Sequence, residues 1–416
     1  MRLPAVSGLI AVGAVGAVFA APAATMAATA PAAMTATAAS KPVGSMFGVS
    51  CVSASNCVAV GEDWANSHPV VERWNGARWT ATSLPLPSST DTAVLGEVSC
   101  ISANSCIAVG SYSANYLNAA TYQMLAESWN GRSWTRLRLP DPSGGYGYDL
   151  GSPSCATAGR CVLTGVYILH SGRTAAFAEV LSGGTWKVYK LPGLADSAYN
   201  SVIEQVTCMS ATNCLAVGSD GNSKTPLGAP ANTAVAESWN GKKWSETKLA
   251  TPAGSKGAWL YGLSCPRSKT CVAVGGRRLA NGKITPLVET RAAATGRWQP
   301  AFPRAAGSDP DLQGVACASV GHCVAVGGGD EATAKTSPFS VFLNGKAWKY
   351  RVFPAPLGGG KEASDAYAVT CLSATECVAV GDTGTVPQYS PNPANYRAYG
   401  VSAFWNGKAW RLVPSA

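Results

Sequence analysis

Fourteen cysteines set the terms for this chain, because they fall in seven pairs and every pair has the spacing C-x5-C. The pairs are Cys51/Cys57, Cys100/Cys106, Cys155/Cys161, Cys208/Cys214, Cys265/Cys271, Cys317/Cys323 and Cys371/Cys377, with none left over. From Cys51 to Cys371 the steps average about 53 residues, the scale of a repeated supersecondary unit. The text around each pair recurs as well: Val49-Ser50-Cys51 leads to Cys57-Val-Ala-Val-Gly61, and Val98-Ser99-Cys100 to Cys106-Ile-Ala-Val-Gly110. A second signature follows, as in Glu72-Arg-Trp-Asn-Gly-Ala-Arg-Trp79, Glu127-Ser-Trp-Asn-Gly-Arg-Ser-Trp134, Glu237-Ser-Trp-Asn-Gly-Lys-Lys-Trp244 and Trp405-Asn-Gly-Lys-Ala-Trp410. The chain is one unit written seven times.

Each unit reads as four short strands. Strand a ends at the first cysteine, and strand b is the β-branched run after the second. Strand c leads into Asn-Gly, the strongest short hairpin signal, read here as a type I′ turn. Strand d leaves that turn through Trp and stops near Leu84-Pro85, Leu139-Pro140 or Leu191-Pro192. No window has a helical period with caps. Four-stranded units repeated seven times, apolar on both faces of strand b, describe an all-β seven-bladed β-propeller with four antiparallel strands per blade, spanning 45–416.

Ahead of it, Arg2 and the apolar run Ala5–Ala20, followed by small residues, predict a cleaved signal peptide over 1–27. That run is too short for a membrane span, which takes ~20 residues. Residues 28–44, rich in Ala, Thr and Pro, read as a flexible leader. The expected product is extracellular, without a membrane span and monomeric. In an exported chain, evenly spaced cysteines form disulfides, here one per repeat clamping strand a to strand b. Zinc is the rival, but the chain has only three His and no C-x2-C, so no metal or other cofactor is expected. A net charge of +9 with no dense Lys/Arg run argues against nucleic acid as a partner.

The repeat resembles known propeller families. Val274-Gly275-Gly276 and Val326-Gly327-Gly328, followed by a loop and a later Trp, are similar to kelch and galactose-oxidase-like repeats. Gly76-x-x-Trp79 is similar to the Asp-box hairpin of BNR, sialidase-like propellers, with Trp74 where that motif has its Asp. The resemblance implies the fold and carries no activity with it.

An Asn-Gly turn of two residues sets Glu72 opposite Trp79, with Trp74 on the same face. These residues serve either as catalytic acid and sugar platforms or as packing between blades; recurrence in every unit favours packing. Cations just past the turns, from Arg78 and Arg132 to Lys242, Lys243, Arg297, Lys346 and Lys408, decorate one rim. They serve either to attract an anionic surface polymer or to discourage edge pairing.

The b–c and d–a loops are long and differ between units, and Tyr gathers in and beside them. Six residues before the first cysteine of their units come Asp149, Asp311 and Asp365, with Tyr148, Tyr261, Tyr367 and Trp259 close by. These positions begin the innermost strand and face the mouth of the channel. They form the candidate ligand-binding set, with turn capping as the plain alternative for the Asp. The sequence therefore points to a non-enzymatic binding or scaffold propeller for a glycan, a cell-envelope polymer or an extracellular protein. A polysaccharide-active hydrolase or lyase working through the three carboxylates is the second expectation.

Overall fold

The computed structural model describes residues 44–414 apart from 64–65, 89–90, 116–117, 195–200, 222–231, 268–269, 293, 306–308, 330–337, 346, 355–362 and 386–396. The expected signal peptide and all of the leader but Gly44 lie outside the described residues, as does Lys346. The described residues form seven sheets of four strands. The first blade is β1 (Met46–Ser53), β2 (Asn56–Asp63), β3 (His68–Trp74) and β4 (Trp79–Ser83). The innermost strands of the other blades are β5 (Thr92–Ser102), β9 (Gly145–Thr157), β13 (Val202–Ser210), β17 (Ser255–Arg267), β21 (Asp311–Ser319) and β25 (Ala363–Ser373). Among the described residues helix is limited to two single 3-10 turns, Ala119–Thr121 and Pro192–Leu194.

Every C-x5-C pair is a disulfide: Cys51–Cys57, Cys100–Cys106, Cys155–Cys161, Cys208–Cys214, Cys265–Cys271, Cys317–Cys323 and Cys371–Cys377. No described cysteine is free. The expected strand limits at the bridges need correction, because both cysteines lie inside their strands. Strand a runs past Cys51 to Ser53, and strand b begins at Asn56, one residue before Cys57. In the same way β10 (Arg160–Leu169) takes in Cys161, β14 (Asn213–Gly221) Cys214 and β18 (Thr270–Leu279) Cys271. Likewise β22 (His322–Gly328) takes in Cys323, and β26 (Glu376–Thr385) Cys377. The reason is register: the two Cys of a blade sit directly opposite each other, with Cα atoms 4.0–4.1 Å apart, so the ladder runs through the bridge up to the turn. Cys57, Cys106, Cys161, Cys214, Cys271, Cys323 and Cys377 are all buried in the layers between blades, with Cys208 and Cys265 half-buried against the same layers, so the bridges serve the core.

The register continues the bridge across the sheet as a row, Cys51–Cys57–Trp74–Trp79, and the second blade repeats it as Cys100–Cys106–Trp129–Trp134. Opening the second bridge by Cys100→Ala/Cys106→Ala is expected to cost about 2 kcal/mol, the chain-entropy value for so short a loop. Urea unfolding of the otherwise oxidised protein measures it; no change in the midpoint would mean that the remaining turn already fixes the hairpin.

The core lies between blades, in layers. Cys57, Ala59 and Trp74 face the last blade, against Ala368, Val378, Val380 and Phe404, while Val58, Val60 and Val71 face the second, against Leu95, Val98 and Leu125. This explains why strand b is apolar on both faces. The Trp residues belong to these layers: Trp79 Nε1 donates to Ser402 Oγ of the last blade (3.0 Å), and Trp410 Nε1 to Ser340 Oγ (2.9 Å). At the inner edge the serine before the cysteine spans blades. Ser50 Oγ accepts from Cys100 N–H (3.1 Å), Ser154 from Cys208 (2.9 Å) and Ser264 from Cys317 (3.0 Å). Among the described residues the first and last blades are each built from four consecutive strands, and they meet through packed side chains.

The c–d register differs from the expected one. Glu72 lies opposite Ala81, and Trp74 opposite Trp79. The cause is the Asn side chain. Asn75 Oδ1 accepts from the N–H groups of Ala77 (2.9 Å) and Arg78 (3.0 Å), which widens the loop to four residues with only Gly76 at positive φ. Asn130, Asn240 and Asn406 do the same. This is an Asx turn rather than type I′.

Candidate functional site

The recurring glycine of strand b positions everything at the axis. A Cβ on Gly61, Gly110, Gly165, Gly218, Gly275, Gly327 or Gly381 would collide with a carbonyl oxygen in or just before strand a, that of Ser45, Val94, Asp149, Val202, Trp259, Asp311 or Asp365 respectively. Immediately past this contact each inner strand carries one extra residue with no ladder partner, a β-bulge. The extra residues are Phe47, Gly96, Gly151, Glu204, Tyr261, Gln313 and Tyr367. Neighbouring inner strands touch all the way round, so the bulges form a ring about the axis. Phe47 and Tyr367, from the two ends of the chain, meet there with ring centroids 5.4 Å apart.

One arc of this ring is acidic. Glu204 is 7% exposed, and burial together with the neighbouring Asp149 charge pushes its carboxyl up to about 8. Asp149 is raised to about 6 by burial, held back by hydrogen bonds from the Ser111 hydroxyl and the Leu150 N–H. The Tyr261 hydroxyl is pushed well above its ordinary range by burial and by the charges of Asp311 and Glu204. Asp311 Oδ1 accepts from Gln313 Nε2 (2.8 Å). On the far side, Tyr367 donates to Asp382 (3.3 Å), which also accepts from Ser45 Oγ (2.5 Å). Within the inner strands the only Lys and Arg are Lys256 and Arg267, near the two ends of β17. Among the described residues no group of three or more His, Cys, Asp or Glu is placed to hold a metal ion.

The structure thus gathers Asp149, Tyr261 and Asp311 on one arc, and Tyr367 on the other. Asp365 lies at the blade interface, its carboxylate filling the space above Gly328. Tyr148 and Trp259 are 9% exposed and belong to the packing. Tyr148 stacks on Tyr167 (centroids 6.1 Å apart) and donates to the Gly145 carbonyl (2.9 Å), while the Trp259 indole covers Gly276. The second glycine of each Val-Gly-Gly is therefore room for a neighbouring side chain. Glu204, Gln313 and Asp382 were missed by the sequence reading. The first two stand four residues before their cysteines, at the bulge, where a search at the sixth residue does not look.

Chemically, burial raises both carboxyls and raises Glu204 further than Asp149, which has hydrogen bonds to support its charge, so Glu204 is the readier proton holder and Asp149 the readier acceptor at the mouth. The recurring glutamates of strand c play a different part. Glu237 Oε1 accepts from the Gly193 N–H (3.2 Å) in the preceding blade's linker, and Glu127 pairs with Arg136 (3.6 Å).

Fold and site together define a disulfide-clamped seven-bladed β-propeller with a polar, acidic axial mouth, a scaffold suited to binding. No protein-family model and no curated protein matches the chain. Among solved structures it is similar to the BP39L lectin from Burkholderia pseudomallei (TM-score 0.50, 11% identity, 87% of this chain and 96% of that one). It is also similar to a Mycobacterium tuberculosis puromycin-hydrolyzing peptidase (TM-score 0.53, 10% identity), covering 90% of this chain but 52% of the other. A third is YCF48 bound to D1 peptide (TM-score 0.49, 14% identity, 84% and 95%). At these identities the likeness is one of fold. Seven disulfides indicate an oxidising compartment. Among the described residues no helix is long and apolar enough to cross a membrane.

Proposed function

We propose that this chain is an exported, extracellular binding scaffold that takes a cell-envelope glycan at the axial mouth, with residues 1–27 removed as a signal peptide and 28–44 serving as a leader. The observation that supports this most is the arc Asp149–Glu204–Tyr261–Asp311, where carboxyls and a phenol gather and, within the described inner strands, no Lys or Arg stands at their level. Sugar hydroxyls and the ammonium group of an amino sugar are the donors that such acceptors take. Tyr261 and Tyr367 add apolar ring faces at low entropic cost. The fold is used for sugar recognition in the lectin to which it is similar. An extracellular protein presenting a lysine meets the same chemistry.

The test is an array of neutral, acidic and amino-sugar glycans and cell-wall polymers, probed with the mature protein and checked for cleavage. Amino-sugar glycans are expected to be retained, and Glu204→Gln or Tyr261→Ala to weaken retention by up to about tenfold, the effect of losing one hydrogen bond. Retention that survives both substitutions would move the site elsewhere. The unequal carboxyls of Glu204 and Asp149 also favour a second reading, acid and base on a glycoside. That reading requires cleaved product, and turnover lost in Glu204→Gln while ligand is still held.

A further inference from the structure

The face opposite the mouth carries its own signal. The c–d turns rest on the a–b turns, as Gly76 on Ser55, Gly131 on Asn104, Gly241 on Thr212 and Gly407 on Thr375, so both sets share one end of the disc. Exposed cations stand on this end blade after blade: Arg78, Arg132, Lys242, Lys243, Arg297 and Lys408 in the c–d turns, with Arg160 beside an a–b turn at the start of β10. Among the described residues none of them is in an ion pair; Arg160 donates to Ser182 Oγ. The one described carboxylate in or directly beside these turns is Glu376, the first residue of β26. Elsewhere charges mix: on the loop side Asp63, Asp91, Asp141, Asp220 and Asp309 stand among Arg173, Lys256, Lys283 and Arg304. The asymmetry is therefore in the placement of charge, beyond the net +9.

We infer that the turn face is a docking surface for a polyanionic cell-surface polymer whose repeats carry phosphate or carboxylate. Unopposed cations at repeated intervals match a repeating anion, and the gain on contact is release of counterions. The Trp rings of these turns are buried or half-buried against neighbouring blades, so the face offers no platform for stacking bases, which single-stranded nucleic acid requires. Among the described residues it offers, apart from Val320, 47% exposed, no exposed large apolar side chain to enter a bilayer. Charge alone is what it presents. This surface does not depend on the mouth: one face would hold the envelope while the other stays open to its ligand.

The test is retention of the mature protein on poly(glycerol phosphate), polygalacturonate and neutral dextran supports. Two variants of equal net charge separate position from total charge: R78E/R132E/K242E/K408E on the turn face, and K190E/K256E/K283E/R304E on the loop side. The wild type is expected to bind a polyanion, whether phosphate, carboxylate or both, and to lose about 100-fold in affinity between 50 and 200 mM salt for roughly five contacts. The turn-face variant is expected to lose on the order of 100-fold at low salt and the loop-side variant severalfold at most, with unchanged circular dichroism in both. Equal losses in the two variants, wild-type binding to dextran, or binding to anionic vesicles without binding to either polymer would overturn the inference. Glycan retention at the mouth is expected to be unchanged in the turn-face variant, so the two readings fail separately.

Discussion

Gly110→Val is expected to leave the chain unable to close its ring, whereas Gly159→Ala should be nearly silent. Gly110 lies in β6 (Ser105–Ser113), and a side chain there would run into the Val94 carbonyl oxygen and press on the Leu95 Cα at 3.0 Å. Both are backbone atoms of β5, held from behind by the next blade, so no rotamer change relieves the clash. Separating the two strands would open the bulge and with it the inner ring. A cost above ~4 kcal/mol is expected, at the extreme of single substitutions. Gly159 sits in an a–b turn with ordinary φ and nothing within 4 Å of an added Cβ. Alanine there is expected to change stability by less than about 1 kcal/mol. Soluble yield and urea midpoints of the two variants decide the matter. A Gly110→Val protein within about 1 kcal/mol of wild type would show that the recurring glycine is not there for the inner-strand carbonyl.

The same glycine marks the limit of what could be read from the residues. Blade number, strand count and disulfide pairing were legible because each is written seven times at fixed spacing, and repetition removes ambiguity from short strands. The packing role of Trp and Glu followed from that recurrence too. The turn register was not legible, since Asn-Gly announces a hairpin without saying whether the Asn side chain will take two backbone N–H groups and lengthen the loop. The bulge was hidden for a related reason. One extra residue interrupts the alternation of strand a, and Phe47-Gly48, Glu204-Gln205 and Gln313-Gly314 share no side-chain type that would flag it. Asp149 and Asp311 were found from their place six residues before the first cysteine, with Tyr261 close by, and not from the interruption itself. Glu204 was passed over because in its blade the sixth residue before the cysteine is Val202.

Stability is expected to fall as pH rises from about 5 to 8, and Glu179→Gln to remove much of the slope. Glu179, in β11 (Thr174–Ser182), is 0% exposed, and neither carboxylate oxygen has a hydrogen-bond partner. Burial, with the charge of Asp141, pushes its carboxyl up to about 8. Glu237 and Glu289 at the equivalent place in their blades are raised by burial to about 7, with the Gly193 N–H holding Glu237 down and the Glu246 charge adding to its rise. With a folded value above the unfolded one, near 4.5, the native state binds more protons than the unfolded chain between those two values. The slope of stability with pH is therefore negative across that window and flat outside it. Below about pH 4.5 Glu179 carries no penalty; above about 8 it carries the whole of it, of order a few kcal/mol. Gln keeps the shape and the buried polar oxygen but cannot ionise. Glu179→Gln should accordingly match wild type at pH 5 and exceed it at pH 8, by thermal or urea unfolding at both. Glu127 provides the contrast, because Arg136 lies 3.6 Å away and offsets part of the burial that raises it. Glu127→Gln removes that pair and is expected to gain less at pH 8 than Glu179→Gln. A wild-type midpoint that rises from pH 5 to 8, or a Glu179→Gln protein less stable at pH 8, would mean that water or an unseen donor reaches this carboxylate between the blades.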